Sequence, residues 1–200
     1  MGTLGYLTQI AHGEALAPML DALLEDNFRL EHRMMLEGSI LSEEEDSAAA
    51  QISGIALNEI VITRNSGLQP IHFALYVNGK YLNEYTADGM IVATPTGSTA
   101  YNLSAGGPIV TPGAELLVLT PICSHALSTR SIVLTGQDVV EIRPLDGDGR
   151  LQAAVFDGEH AVELDSSKRL RICRSCYDTE LIQLKDISFL DHLRNKMTRV

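Results

Sequence analysis

The residues whose types and spacing suit chemistry lie in residues 94–101, which read Thr-Pro-Thr-Gly-Ser-Thr-Ala-Tyr. The apolar run 90–93 before them predicts a buried strand, and residues 100–105 after them predict a brief helix. A strand, a turn of small residues and a helix start present backbone N–H groups and hydroxyls, which suits a phosphate or diphosphate. A short capped helix with Ser98 or Thr96 as its N-cap and no ligand fits the same pattern.

Three acidic or amide side chains near this segment are candidate hydrogen-bond acceptors. Asp88 stands in an Asp-Gly turn before the apolar strand, where its carboxylate can accept from a ribose or an amide. Asn58 and Glu59 open the β-rich run 59–63, and an acid beside an amide at a strand edge can pair with sugar hydroxyls. A solvated strand start also explains the Asn-Glu pair, and the residues alone favour that interpretation.

Other kinds of active site find little support in the residues. The six histidines show no HExxH or HxH spacing, so no metal cage is predicted. Ser124-His125 lacks the G-x-S-x-G elbow of a hydrolase, and residues 146–157 lack the glycine and closing glutamate of a calcium loop. Cys173 and Cys176 form one CxxC in an alternating run, which favours strand packing over redox or zinc chemistry.

The composition excludes several classes of partner. The formal net charge of -11 argues against a nucleic-acid groove or an anionic membrane surface. No apolar run approaches the ~18 residues of a membrane-spanning helix, and no basic region followed by an apolar run marks secretion. Three scattered cysteines do not form a disulfide framework, which indicates a reducing cytoplasm. An acidic chain can still bind a nucleotide, because a local donor-rich pocket holds phosphate.

The elements around the segment are mainly β. Amphipathic helices are predicted near residues 12–25 and 187–197, and a solvated loop or helical excursion over residues 42–50. Asn78-Gly79 and Asp157-Gly158 each separate two β-rich runs and predict hairpins, because these residues tolerate positive φ. Alternation also predicts strands from residue 28 onward and at residues 116–119, 131–134, 139–143, 169–176 and 181–184. We therefore expect a twisted two-sheet β architecture with an N-terminal helix, a short central helix and a C-terminal helix.

Residues 88–108 resemble the long signature of the NAD kinase family. Asn58-Glu59 is similar to the family's Asn-Glu motif, and Asp157-Gly158 falls at its late Asp-Gly turn. Residues 2–7 resemble the second half of its Gly-x-Asn-x-Gly-x-Leu-Gly-Phe-Leu strand end, with Tyr6 where Phe is usual. Residues 124–133 resemble its His-Ser-Leu-Ser-x-Arg-Pro-Ile-Val segment, with departures at Ala126 and Ser131. The likeness runs through the whole chain.

The resemblance implies an enzyme that phosphorylates the adenosine 2′-hydroxyl of NAD, using ATP (or polyphosphate) and a divalent cation, usually magnesium. Members form dimers or tetramers, and they pair an N-terminal α/β half with a C-terminal β-rich half. By resemblance, Asn58 and Glu59 would contact the dinucleotide, and Asp157 would sit near the reacting region. The residues that would line the adenosine side are Thr96, Thr99, Ala100 and Tyr101. Asp88 and Ser104 would contact the rest of NAD.

The same resemblance implies three parts of the chain. Residues 1–26 would be a remnant of the N-terminal α/β domain, residues 27–185 the β-rich NAD-binding domain, and residues 186–200 a helical tail. The family's Gly-Gly-Asp-Gly-Thr loop, whose Asp is the proposed base, does not occur in these 200 residues. No catalytic residue is therefore assigned, and we expect phosphoryl transfer to be very slow without that loop. Because Met1 falls inside a family motif, we interpret the chain as truncated.

Two other functions fit part of the pattern. One is a non-catalytic dinucleotide-binding or assembly module that keeps one wall of the pocket. The other is a fragment of a related lipid kinase with the same two-half architecture. The run 94–101 together with Asn58-Glu59 favours the NAD branch over the lipid branch.

Overall fold

The computed structural model describes residues 16–42, 53–65, 67–124, 130–145, 152–186 and 188–197. Within these residues the α-helices are α1 Ala17–Leu24, α2 Tyr101–Ser104 and α3 Phe189–Met197. The strands are β1 Arg29–Ser42, β2 Gly54–Ala56, β3 Glu59–Arg64, β4 Ile71–Val77, β5 Lys80–Ala87, β6 Gly89–Ala93, β7 Leu116–Ile122, β8 Ile132–Thr135, β9 Val140–Pro144, β10 Gln152–Phe156, β11 His160–Leu164 and β12 Lys168–Gln183.

The strands form two six-stranded antiparallel sheets, so the expected mainly β, two-sheet fold with three helices is confirmed. Sheet 1 has the order β2-β1-β12-β9-β4-β5, and sheet 2 has the order β11-β10-β3-β6-β7-β8. The main apolar cluster draws on both sheets, with Phe73 and Ile142 from sheet 1 and Ile60, Val92 and Leu119 from sheet 2. The core therefore lies between the sheets, as in a β-sandwich.

The two central strands of sheet 2, β3 and β6, are buried on both faces. Alternate residues Ile60 and Ile62 of β3 belong to the main core, whereas Val61 joins Ile91 in a second apolar cluster. Ala105 and Val110, from the chain that follows β6, pack on that second cluster. The candidate segment is thus fixed to the outer face of sheet 2, which explains why β3 and β6 are continuous apolar runs.

Both predicted hairpin turns are present. Asn78 and Gly79 have φ values of 51° and 73° and join β4 to β5, while Asp157 and Gly158 have φ values of 47° and 74° and join β10 to β11. Asn, Asp and Gly occupy this left-handed region most readily, so turn chemistry sets both registers.

The longest strands are β1 and β12, and they extend further than the sequence indicated. They pair from Arg29 with Gln183 to Ser42 with Lys168, with one irregularity between Met34 and Leu36. The separate strands predicted at residues 169–176 and 181–184 are one strand, because β1 pairs with β12 along its whole length. Cys173 and Cys176 lie within β12, which confirms the interpretation of the CxxC as part of a strand.

Within the described residues the helices are short. Helix α1 begins at Ala17 and has no buried residue, and α2 is a single turn preceded by a 3₁₀ turn, Gly97–Thr99. None of the helices in the described part of the chain has the length and apolar character needed to cross a bilayer. The predictions for residues 1–15, 43–50, 125–129 and 146–151 fall outside the described residues.

Candidate functional site

Residues 94–101 leave the end of β6 and pack directly on the start of β3. The Thr94 N–H donates to the Asn58 carbonyl oxygen at 2.8 Å, and the Thr94 hydroxyl donates to the Leu57 carbonyl oxygen at 2.6 Å. A Cβ placed on Gly97 would lie 2.1 Å from the Asn58 carbonyl oxygen. Only glycine permits that approach. The structure therefore brings the Asn-Glu pair into direct contact with residues 94–101, which we call the signature turn.

Most hydroxyls of the turn satisfy its own backbone. The Ser98 hydroxyl donates to the Pro95 carbonyl oxygen at 2.6 Å and accepts from the Val110 N–H at 3.0 Å. The Thr99 hydroxyl donates to the Thr96 carbonyl oxygen at 3.3 Å. The view of these hydroxyls as free phosphate donors is therefore wrong for Ser98, which is fully buried. Neither Ser98 nor Thr96 forms the predicted N-cap bond; the Gly97 N–H at the start of the 3₁₀ turn donates instead to the Thr94 hydroxyl at 3.1 Å.

Asn102 is a structural anchor that the sequence analysis missed. Its amide donates to the carbonyl oxygens of Ser98 and Pro108, each at 3.0 Å, and its oxygen accepts from the Thr120 hydroxyl at 2.7 Å. A Cβ on Gly107 would lie 2.1 Å from the Asn102 Oδ1. An asparagine inside a short run of small and apolar residues was the available signal, since a buried amide needs several partners.

The open face of the turn is formed by α2. Tyr101 is 45% exposed and Ser104 is exposed, and residues three apart lie on the same face of a helix. Thr99 and Ala100, just before them, are half-buried. A cavity of about 260 Å³ follows Ser104, and it is lined by Ala105, Gly106, Thr120, Pro121, Ser124, Arg130 and Ser131. A ligand on this face would contact an aromatic ring, a hydroxyl and a polar recess.

Glu59 is the unusual ionisable group of the site. Its side chain is buried at 8% exposure, and its Oε2 has no hydrogen-bond partner within the described residues. Burial, and then the nearby Asp157 carboxylate, raise the pKa of Glu59 to about 7. A buried carboxylate without a donor is costly, so this oxygen is suited to a donor that arrives with a ligand.

Asp157 holds the backbone at Asn58 and Glu59 in place. Its carboxylate accepts from the N–H groups of Leu57 at 2.7 Å, Asn58 at 2.8 Å and Glu59 at 3.0 Å. The Asp157 N–H in turn donates to the Glu59 carbonyl oxygen at 3.1 Å. The structure therefore places Asp157 beside Glu59. Both carboxylate oxygens of Asp157 already accept from backbone N–H groups, so this side chain stabilises the conformation of residues 57–59.

Asp88 lies at the opposite end of the β3–β6 pair from Glu59. Its carboxylate forms an ion pair with Arg64 at 2.6 Å. In the β3–β6 pairing, Thr63 faces Gly89 whereas Glu59 faces Ala93. Four residues of strand separate the two ends, or about 13 Å at ~3.4 Å per residue. The role of Asp88 in ligand binding stays a prediction from the resemblance.

The comparisons with known proteins identify the family of this chain. The family described as the ATP-NAD kinase C-terminal domain matches residues 57–184, which include every predicted site residue. The chain belongs to the NAD kinase family. The "NAD kinase" of Lachnospira eligens is 44% identical over 209 residues, covering 98% of this chain and 70% of the relative. The "NAD kinase" of Agathobacter rectalis is 42% identical over 200 residues, covering 98% of this chain and 68% of the relative.

Two solved NAD kinase structures share the fold. A yeast NADH kinase complexed with NADH superposes with a TM-score of 0.85 at 26% identity, over 99% of this chain and 57% of that chain. An NAD kinase from Archaeoglobus fulgidus in complex with ATP superposes with a TM-score of 0.72 at 26% identity, over 92% of this chain and 65% of that chain. This chain therefore spans less than two thirds of either solved kinase.

A divalent cation at this site would need oxygen ligands from the side chains or from the substrates. In the described ranges no three His, Cys, Asp or Glu side chains converge as a cage. Magnesium is usually held by one or two carboxylates together with substrate phosphates. The described residues therefore supply no complete cation site of their own, and substrate phosphates would provide most of the ligands of a bound cation.

Proposed function

We propose that this chain forms the NAD-binding part of an NAD kinase, which transfers a phosphoryl group from ATP to the adenosine 2′-hydroxyl and yields NADP. The observation that supports this most is the contact between the signature turn and Asn58, with the buried, donor-free Oε2 of Glu59 at the same corner. A dinucleotide carries ribose hydroxyls that can donate to this oxygen.

Every predicted residue except Asp88 then has a task, and Asp88 keeps the one that the resemblance implies, a contact with the rest of NAD. Glu59 accepts from a hydroxyl of the dinucleotide, and Asn58 contributes its side-chain amide beside it. Thr99, Ala100 and Tyr101 form the surface for the adenosine, and Ser104 donates or accepts at the far end of α2. Thr96 and Asp157 act mainly by holding the turn and the Asn-Glu corner in position.

The reaction requires groups beyond those that this chain supplies. The 2′-hydroxyl oxygen attacks the γ-phosphorus of ATP, ADP leaves, and the hydroxyl proton passes to a base. A divalent cation, which we propose to be magnesium, would neutralise charge on the transferring phosphates. The family's Gly-Gly-Asp-Gly-Thr loop is absent from the sequence, so we propose that the isolated chain binds NAD and transfers phosphate only slowly.

A non-catalytic dinucleotide-binding or assembly module is the second candidate. The contact between residues 94–101 and Asn58 supports this candidate as well, because binding alone needs that surface and no base. The two candidates differ in turnover and agree in NAD affinity.

We also propose a reducing, cytoplasmic setting and a homo-oligomer, either a dimer or a tetramer. The three cysteines are free in the structure, which supports the reducing setting.

The homo-oligomer is supported by exposed Tyr81 and Leu82 beside a cavity of about 330 Å³, because apolar surface of this kind is common at interfaces. The net charge of -11 supports partners other than nucleic acid or anionic membranes. We also propose that residues 1–26 are a remnant of the N-terminal α/β domain, residues 27–185 the β-rich domain and residues 186–200 a helical tail. The first boundary is supported by α1, which has no buried residue.

The test combines calorimetry with NAD and a coupled assay for NADP formation with ATP and magnesium. We expect measurable heat from NAD and turnover that is very slow relative to a full-length relative. Glu59→Ala should abolish the binding heat, whereas Glu163→Ala, at an exposed position of β11, should leave it unchanged. No heat at millimolar NAD would contradict the proposal, and robust turnover would contradict the impaired-fragment interpretation.

A further inference from the structure

A buried arginine on β1 contacts the signature turn from behind. Arg33 is 4% exposed, and its Nη1 donates to the Thr96 hydroxyl oxygen at 3.3 Å. Its Nη2 donates to the Glu31 carboxylate at 2.7 Å. The next residue, Met34, belongs to the main core. The Arg33 side chain therefore links β1 of sheet 1 directly to the turn that follows β6.

Arg33 is one member of a polar chain that crosses between the sheets. The Glu31 carboxylate also accepts from the Gln183 side-chain amide. Gln183 ends β12, Glu31 and Arg33 lie on β1, and Thr96 lies in the turn that follows β6 of sheet 2. The paired strands of sheet 1 are thereby connected to the turn that packs on Asn58.

The guanidinium geometry suits this connection in a way that an ammonium would not. A planar guanidinium presents two separate arms to two acceptors, whereas a lysine ammonium is a single point charge on a flexible stem. Arg33 uses one arm for Glu31 and the other for Thr96. A lysine at this position would keep the pair with Glu31 and lose the bond to Thr96.

The burial of Arg33 is hard to explain by stability alone. Apolar residues often replace a buried ion pair without loss of stability, so such a pair is weak evidence of a stabilising role. The Nε of Arg33 also has no hydrogen-bond partner within the described residues, which adds to the cost of burial. Thr96 directly precedes Gly97, whose close approach to Asn58 leaves no free space. A shift of Thr96 would therefore displace the contact that carries the proposed function.

We propose that Arg33 is a positioning residue for NAD binding, which acts by fixing Thr96 and hence the turn at residues 96–101. It lies outside residues 57–184, the part that matches the family domain. The proposal rests on the proposed function for its ligand, but the order of the turn can be measured without any ligand.

The test compares Arg33→Lys and Arg33→Met with Arg169→Lys in the 200-residue chain. Arg169 is a matched control, because it is also buried and lies 4.0 Å from a carboxylate, that of Glu141, yet belongs to sheet 1 away from the turn. Hydrogen exchange of residues 96–101 should be about tenfold faster in both Arg33 variants and unchanged in the control, since one charge-assisted hydrogen bond corresponds to roughly that factor. The Kd for NAD should rise about tenfold in both Arg33 variants. Equal exchange in Arg33→Lys and wild type would overturn the proposal.

A double-mutant cycle separates positioning from general destabilisation. Thr96→Val removes the hydroxyl that Arg33 contacts. If Arg33 acts through Thr96, Arg33→Lys should accelerate exchange and weaken NAD binding far less in the Thr96→Val background. Fully additive effects would overturn the proposal. Wild-type chain that binds no NAD would refute the proposed function, and the exchange data would then decide the role of Arg33 alone.

Discussion

The pKa of Glu59 predicts an unusual dependence of stability on pH. The side chain has a pKa of about 7 in the folded protein, against an ordinary value of 4.5 for a glutamate carboxyl. The folded state therefore binds a proton more tightly than the unfolded state does. As a consequence, Glu59 lowers the free energy of unfolding progressively as the pH rises from about 4.5 to about 7.

The size of this effect follows from the shift. At ~1.36 kcal/mol per unit, and with a discount for partial solvent screening, the ionised form costs about 2–3 kcal/mol above neutral pH. Glu59→Gln removes the titration while keeping the side-chain shape. The substitution should abolish this part of the pH dependence, although the new amide adds its own desolvation cost at every pH. For a chain of this size, 2–3 kcal/mol corresponds to a shift of roughly 4–12 °C in Tm.

Urea unfolding at pH 5, 6, 7 and 8 measures the effect. Wild type should lose about 2–3 kcal/mol relative to Glu59→Gln between pH 5 and pH 8. Glu163→Gln is the control, because that side chain is exposed and accepts only from Asn65 in the described contacts. If the wild-type and Glu59→Gln curves ran parallel from pH 5 to pH 8, the argument from burial would be refuted.

Three further predictions concern the same corner. Asp157→Asn tolerates the φ of 47° but loses a charge-assisted acceptor, so it should lower the free energy of unfolding in urea by about 2 kcal/mol. It also removes a neighbouring negative charge, so carboxyl NMR should show a lower pKa for Glu59. Gly97→Ala should lower the free energy of unfolding by more than ~3 kcal/mol or abolish NAD binding, because its Cβ would clash with the Asn58 carbonyl oxygen. The control is Gly113→Ala, whose Cβ would meet no atom within 4 Å, and thermal unfolding should show it to be near neutral. NAD binding at pH 7 should release a fraction of a proton from Glu59, so calorimetric heats should vary with buffer ionisation enthalpy in wild type and not in Glu59→Gln.

Local chemistry in the sequence accounts for the features that could be predicted. Asn78-Gly79 and Asp157-Gly158 specify positive φ, and this requirement is satisfied within the turn itself. The β-branched run of β3 is equally local, because it needs only burial on both faces. The strand interpretation of Cys173 was also a local one. Burial is the main cause that raises the pKa of its thiol, and this disfavours the thiolate needed for redox chemistry.

Features that depend on distant residues could not be predicted in this way. The contact between Arg33 and Thr96 joins two residues 63 positions apart, and no local pattern marks either of them as a partner. The Asn102 network likewise draws on Thr120 and Pro108. The sequence showed that residues 94–101 were rich in hydroxyls, but only the packing revealed that the Ser98 hydroxyl serves the backbone.

The two carboxylates at the Asn-Glu corner divide their tasks because their surroundings differ. Asp157 accepts from three backbone N–H groups and so fixes the shape of the corner. Glu59, on the neighbouring strand, has an oxygen that no donor in the described part of the chain reaches, and its pKa lies near neutrality. Neighbouring carboxylates in different environments commonly take separate roles in this manner. Because Asp157 is occupied by the backbone, Glu59 is the carboxylate left to respond to a ligand, and that response should be a change in its protonation.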